Sequence, residues 1–349
     1  VIEEEPIPSC GAFLERVLRS VLGMIAVCAL MAGLLSACDP LAPVPTLTPQ
    51  VIIVTPAPTA TPPVSPTPPP TATLAAPTST PSPTPARSAF ACETTRTETI
   101  AFDTFASEVA GENLPYRVVI PPCYLESGQR YPVVYLLHGL NYDELQWSDI
   151  GVARTLEAGL ADGTLPPMIL VMPDFGSLGA ENIFPPEPSY ETVFREELQP
   201  AIERDFCTVN TRDFRALGGI SRGGFWAYSI GMRHPEAYGI LGGHSAAFDP
   251  NNAPDAFNPL ELALNAADLA AADLRMYLDN AAADPAGRYL ELFSSRLSSR
   301  GIPHQYVINP SGNHDNAYWN THVGEYLAFY GRDWPRDAAL LPSCAEPSP

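Results

Sequence analysis

The chain has 349 residues and a formal net charge of −20, from 39 acidic residues against 19 basic ones. All 19 basic residues are arginines and they form no run or stripe, which argues against a nucleic-acid partner. The 40 prolines and seven cysteines are unevenly spread, so the sequence divides into segments of different kinds.

The ten residues before Gly11 hold three consecutive glutamates and no initiating Met, and they read as a misassigned or truncated start. Arg16 and Arg19 then precede an apolar run over 21–35, too short and too closely followed by small residues for a spanning helix. Residues 1–37 are therefore expected to be a signal segment. It ends in Leu35-Ser36-Ala37-Cys38, which resembles the lipobox of bacterial lipoproteins. That resemblance implies cleavage before Cys38, lipidation of Cys38, and an extracytoplasmic protein held to the cell membrane only by its lipid.

Residues 38–88 follow as the lipidated cysteine and a Pro/Thr/Ser-rich linker, typified by Pro56-Ala57-Pro58-Thr59-Ala60-Thr61-Pro62-Pro63. Such a stretch lacks apolar residues for a core and a donor at every proline. It is expected to be an extended tether, able to hold a domain on the order of 100 Å from a surface at ~3.1 Å per residue.

Residues 89–349 form the expected globular domain, long enough for one sizeable core. It opens with strand-like alternation over 95–106 and a partner over 115–120, an antiparallel hairpin across Gly111-Glu112-Asn113. Its four cysteines favour two disulfides in an exported protein. Cys92 and Cys123 flank the hairpin and are paired, leaving Cys207 with Cys344.

From Tyr131 on, short apolar runs alternate with amphipathic stretches, the pattern of a mostly parallel sheet with helices on both faces. The expected strands are 133–137, 168–172, 215–219, 240–243, 275–278 and 305–308. Helices are expected over 152–161, 190–206, 223–234, 259–267, 288–300 and 318–330. In such sheets the loops at the carboxyl ends of the strands build the site.

The expected strand at 215 runs into Gly219-Ile220-Ser221-Arg222-Gly223-Gly224, a G-x-S-x-G match that opens into a helix. A sharp turn there places Ser221 in a strained conformation, with the backbone too close for side chains at Gly219 and Gly223. It also puts Ser221 at a helix N-terminus, where the Arg222 N–H can meet a developing oxyanion. A serine hydroxyl needs a neutral imidazole to take its proton. His314, in Ser311-Gly312-Asn313-His314-Asp315 after the last strand, stands in the required chain order. His138 and His244 also end strands, the first placed to order backbone and the second read as a packed, hydrogen-bonded residue. For the carboxylate that holds the imidazole, Leu278-Asp279-Asn280-Ala281-Ala282-Ala283-Asp284 offers Asp279 at the strand tip and Asp284 further into the loop. A second oxyanion donor is expected after the first parallel strand, with Gly139 letting the backbone approach substrate and the Leu140 N–H aimed at the oxygen. Trp147, the 176–186 segment and the loop from Asp249 to Pro259 are expected to border the substrate pocket. No Gly-rich Lys loop and no Cys/His spacing point to a phosphate or metal site, so no metal and no cofactor are expected.

These segments together resemble the esterase D / Fes-type branch of the α/β hydrolases, which includes carbohydrate esterase family 1 feruloyl and acetylxylan esterases, S-formylglutathione hydrolase, enterochelin esterase and the mycolyltransferases. The resemblance runs from about Val118 to Tyr330. It rests on Tyr131-Pro132-Val133-Val134-Tyr135-Leu136-Leu137-His138-Gly139, Met172-Pro173-Asp174, the Ser221 motif, His234-Pro235-Glu236-Ala237-Tyr238, and Gly312-Asn313-His314-Asp315 with Tyr318-Trp319. It implies an α/β-hydrolase fold with Ser221, Asp284 and His314 as triad and the N–H groups of Leu140 and Arg222 as oxyanion donors. Two departures stand out. The family's glycine in the acid loop is replaced by Asn280-Ala281, and Arg222 follows the nucleophile where many members have Met or Leu. An arginine there would suit a carboxylated or acidic substrate, or else point away to a surface acid. The implied function is a serine esterase acting on small-molecule or carbohydrate-linked acyl esters. The alternatives are an acyltransferase to a sugar or envelope acceptor, and a catalytically silent envelope-binding lipoprotein.

Overall fold

The computed structural model describes residues 48–54, 98–346 and 348. The expected signal segment, Cys38, most of the linker and Cys92 lie outside them. Among the described residues, nine strands form one sheet: β1 (Gln50–Val54), β2 (Glu98–Ser107), β3 (Glu112–Ile120), β4 (Val133–Leu137), β5 (Ile169–Pro173), β6 (Arg215–Ile220), β7 (Ile240–His244), β8 (Arg275–Ala281) and β9 (His304–Asn309). Their order is β1-β9-β8-β7-β6-β4-β5-β3-β2. Strands β9 through β5 are parallel, while the β2–β3 hairpin and β1 close the two edges antiparallel.

The interior strands are buried on both faces, which is why they read as unbroken apolar runs rather than as alternations. In β4, Val133, Tyr135 and Leu137 enter one core, while Val134 and Leu136 enter the other. The first core is roofed by the helical run 190–205 (α2), α3 (Arg222–Arg233), α4 (Pro259–Asn265) and α5 (Gly287–Ser299), through side chains such as Phe194, Trp226, Leu260 and Phe293. The second is roofed by α1 (Val152–Ala161) and α6 (Asn316–Gly331), through Leu156, Trp319, Val323 and Tyr326. The mostly parallel α/β sheet, its two helical layers and the N-terminal hairpin are thus as expected.

Strand β1 is a correction. The whole Pro-rich stretch was expected to be tether, yet Gln50–Val54 pairs with β9, from Gln50 against Ile308 to Val54 against His304. Its four consecutive β-branched residues are free of proline, and they satisfy an edge of β9 that would otherwise be open. A chain cut at residue 89 would bare that edge. Cys207 and Cys344 form the expected disulfide, with Cα atoms 5.6 Å apart.

Strand β8 runs three residues past its expected end at 278, to Ala281. This extension places Asp279 inside the sheet, in register with His244 of β7, and decides its role below.

Candidate active site

The carboxyl ends of β4, β6, β7, β8 and β9 lie along one edge of the sheet because these strands are parallel. The chain leaves β4 towards β5 on one side and returns to β6 on the other, so a crevice opens between β4 and β6. Ser221 follows β6 and the 138–142 loop follows β4, which sets the two beside each other.

Ser221 adopts φ 51° and ψ −111° at the entry to α3, a conformation that costs a non-glycine residue about 1–3 kcal/mol. Three backbone bonds hold it: its N–H donates to the His244 carbonyl (2.9 Å), and the Ser221 carbonyl accepts from the Ala247 N–H (3.0 Å) and the Phe225 N–H (3.1 Å). A Cβ at position 219 would lie 2.3 Å from the Gly223 carbonyl carbon, and one at 223 would lie 2.3 Å from the Leu137 oxygen. The spacing of the motif is therefore a steric demand, since helix α3 starts hard against both β6 and β4.

The Ser221 hydroxyl donates to His314 Nε2 at 2.9 Å, and His314 Nδ1–H donates to the Asp284 oxygens at 3.0 and 3.1 Å. His314 sits just before Asp315, whose carboxylate caps α6 by accepting from the Tyr318 N–H at 2.9 Å. The Asp284 side chain is fully buried whereas His314 keeps 30% exposure. Burial pushes the Asp284 carboxyl up, but hydrogen bonds from His314 and Ser245, the His314 charge and the Ala286 N–H together hold it below its ordinary value. The stability this contributes is present above the usual carboxylate range and is lost as pH falls through the lowered folded value.

Asp279, the candidate at the strand tip, meets a different histidine. Fully buried, it accepts from His244 Nδ1–H (2.8 Å), the Tyr318 hydroxyl (2.6 Å) and the Tyr326 hydroxyl (2.9 Å). The Tyr330 hydroxyl donates to His244 Nε2 at 2.8 Å, and the His244 ring stacks on Tyr326 at 3.5 Å. This second His–Asp pair lies within the sheet, where both carboxylate oxygens are engaged. Tyr330 reaches it only because Gly218 and Gly242 lack side chains: a Cβ on either would sit 1.8 or 2.0 Å from the hydroxyl oxygen.

On the β4 side, the Gly139 N–H donates to Gln146 Oε1 at 2.7 Å, and Gln146 Nε2 donates to Asn316 of α6 at 2.9 Å. Gln146 is a site residue that the sequence reading passed over; only its place beside Trp147 marked it. With Gly139 engaged, the Leu140 and Arg222 N–H groups have no hydrogen-bond partner among the described residues. A Cβ on Gly139 would point at the Ser221 Cβ from 3.6 Å, so glycine keeps the space above the nucleophile open. His138 orders this loop, its Nδ1–H donating to the Gly139 carbonyl (2.8 Å) and its Nε2 accepting from the Phe175 N–H (3.0 Å).

Two expectations fail. Trp147 does not border a pocket: it is wholly buried, packs edge-on against His244 and Tyr326, and donates to the Leu137 carbonyl at 3.0 Å. The Arg222 side chain neither charges the site nor pairs with a surface acid. It is buried over Phe225 and Trp226, and donates to the carbonyls of Gly179 (3.1 Å) and Glu181 (2.5 Å). Burial lowers its guanidinium to about 10 against the opposing Glu181 charge, so it stays cationic at neutral pH. Arg222 thus ties the 176–186 segment to the elbow helix, and Phe184 of that segment stacks on Phe257 of the 249–259 loop at 4.8 Å.

The doubly covered parallel sheet, with its serine on a sharp strand-to-helix turn, defines the α/β-hydrolase class of fold. Residues 107–330 match the Esterase family model, and the chain belongs to that family. Among solved structures, a ferulic acid esterase superposes with TM-score 0.62 at 25% identity, covering 68% of this chain and 98% of its own. The S-formylglutathione hydrolase of Staphylococcus aureus shares the fold, with TM-score 0.58, 18% identity, and 67% and 99% of the two chains covered. An endo-1,4-beta-xylanase/feruloyl esterase of Xylanibacter ruminicola is 36% identical over 151 residues, 40% of this chain and 20% of that protein. An esterase of Mycobacterium tuberculosis is 34% identical over 146 residues, 40% of this chain and 31% of that protein. The chain therefore spans a fifth to a third of the length of these curated relatives.

Proposed function

We propose that the protein is a serine carboxylic-ester hydrolase working through an acyl-enzyme. The observation that carries this reading is the unbroken hydrogen-bonded line from Ser221 through His314 to Asp284. Ser221 Oγ attacks the ester carbonyl while its proton passes to His314 Nε2. The Leu140 and Arg222 N–H groups receive the oxyanion, and Asp284 holds the imidazole tautomer and supports the imidazolium. His314 then protonates the leaving alcohol, and water, deprotonated by the same nitrogen, releases the acid and restores the serine.

The substrate class we propose is an aryl or cinnamoyl-type ester on a carbohydrate. Relatives described as feruloyl esterases support it, as do Leu140 and Tyr142, two exposed apolar side chains beside the nucleophile. The full-length chain should form a covalent fluorophosphonate adduct at Ser221 and turn over feruloyl and aryl esters faster than acetyl-sugar esters. Absence of the adduct would overturn the mechanism; preference for acetyl-sugar esters would overturn the substrate class.

We further propose that the protein is extracytoplasmic and anchored through lipid on Cys38. Strand β1 then leaves only residues 39–49 between anchor and sheet edge, which span roughly 40 Å at full extension. The domain would thus be held much nearer the membrane than an undocked linker implies. Cys38→Ala should move the protein from the membrane to the soluble fraction or block its processing; an unmodified Cys38 in membrane-bound native protein would refute the anchor.

A further inference from the structure

Gly139 joins two planar peptides in the loop that faces the nucleophile, and as a glycine it resists rotation between them less than any other residue would. The Gly139 carbonyl and the Leu140 N–H lie in the second plane and point opposite ways. That carbonyl accepts from His138 Nδ1–H (2.8 Å) and from the Tyr142 N–H (3.1 Å), which turns the Leu140 N–H away from both. The first plane ends in the Gly139 N–H, which donates to Gln146 Oε1 at 2.7 Å. Gln146 therefore braces one plane while His138 and Tyr142 brace the other. Gln146 is itself held from several sides. Its N–H donates to the Asp143 carbonyl (3.2 Å) and its carbonyl accepts from the Ile150 N–H (3.1 Å). Its neighbour Trp147 is fixed to the end of β4 by the indole bond to the Leu137 carbonyl. A backbone N–H only donates, so the amide oxygen of Gln146 must face Gly139 and its NH2 must face Asn316 Oδ1, 2.9 Å away. Asn316 is the first residue of α6, two after His314. The Gln146 side chain is thus buried, bonded at both ends, and strung between the oxyanion loop and the segment that carries the base.

We propose that Gln146 is a positioning residue for ester hydrolysis: by accepting the Gly139 N–H while tied to Asn316, it fixes the aim of the Leu140 N–H at the oxyanion. This rests on the proposed roles of Ser221 and of that N–H. Charge develops on the ester oxygen only as Ser221 attacks, so the brace acts on the transition state and little on bound substrate. Without it the first peptide plane turns about the Gly139 dihedrals and the Leu140 N–H loses its line.

The test uses the full-length chain with Gln146→Met, which keeps the length and loses both polar groups, and with Asn316→Ala, at the half-buried start of α6. Deleting an oxyanion donor outright costs about a hundred- to a thousandfold in kcat. A donor kept but loosely aimed should cost less: roughly tenfold for Gln146→Met and about threefold for Asn316→Ala, each with KM changed less than about twofold. An aryl boronate, which adds to the serine oxygen as a tetrahedral anion, should bind each variant more weakly by the factor that its kcat falls. The double variant should lose no more than Gln146→Met alone, because both changes act through one amide. Wild-type kcat in a Gln146→Met protein that melts like the wild type would overturn the proposal. So would boronate affinity undiminished beside a lowered kcat, or losses that multiply in the double variant. If Gln146→Met does not fold, Asn316→Ala decides alone, and wild-type kcat with wild-type boronate affinity overturns the proposal. Failure of the underlying reading would show separately, as turnover retained by Ser221→Ala.

Discussion

Ser221→Ala is expected to lower ester turnover on the order of a million-fold, the loss seen when a triad nucleophile is removed. A residual rate above that in water should survive, because the Leu140 and Arg222 N–H groups and the substrate surface remain in place. The fold should be unaffected. The strained backbone at 221 is imposed by Gly219, Gly223 and the bonds to His244 and Ala247, none of which involve the hydroxyl. Among the described residues the hydroxyl itself bonds only His314, and a half-buried donor of this kind contributes little to stability. The measurement is kcat on an aryl ester beside a thermal melt. Wild-type turnover with an unchanged melt would remove Ser221 from the mechanism.

The elbow was legible in the sequence because its glycines stand at a fixed spacing about the serine. Gly219 crowds the backbone of Gly223 and Gly224 just along the chain, and although Gly223 crowds the distant Leu137 and His138 carbonyls, its fixed place two residues after the serine marks it in a strand–turn–helix context. Gly218 and Gly242 were not legible in the same way. They make room for Tyr330, which lies 112 residues after the first and 88 after the second, and no local pattern announces such a partner. Trp147 illustrates the same limit. Its place after the Gly139 loop matched a pocket wall, but a buried indole needs an acceptor, and the Leu137 carbonyl at the end of β4 supplied one facing inward. Arg222 was legible as an unusual residue beside the nucleophile, whereas the direction of its side chain depended on the carbonyls of Gly179 and Glu181. Strand β1 was hidden by composition. Prolines on both sides concealed a five-residue strand whose four β-branched residues matter only once the edge of β9 is known to be open.

Asp284→Asn should keep the fold and lower turnover by about four orders of magnitude, because the amide can favour the wrong imidazole tautomer. Asp279→Asn should do nearly the reverse. Both carboxylates face a histidine Nδ1, at 3.0 Å for Asp284 and 2.8 Å for Asp279, so distance to imidazole does not separate them. What separates them is the far side of each ring. His314 Nε2 receives the Ser221 hydroxyl, while His244 Nε2 receives the Tyr330 hydroxyl inside the sheet. An amide at 279 would offer its NH2 group to one side of a carboxylate site built for donors from His244, Tyr318 and Tyr326. Leaving a buried donor unpaired costs about 1–3 kcal/mol, and hydrogen bonds to a charged acceptor, worth about 1.5–3 kcal/mol each, are weakened or lost with the carboxylate. Asp279→Asn is therefore expected to lower the unfolding midpoint markedly, while the fraction still folded at low temperature keeps kcat within about tenfold of wild type, as a disturbance felt only through the His244 carbonyl would allow. Measuring kcat per active site, titrated with a fluorophosphonate, separates lost catalysis from lost folded protein. If Asp279→Asn cost the four orders of magnitude and Asp284→Asn left turnover intact, the acid would be Asp279 and the residue at 284 would be a loop cap; loss of turnover in both with no change in either midpoint would mean that the two His–Asp pairs act as one proton-conducting unit.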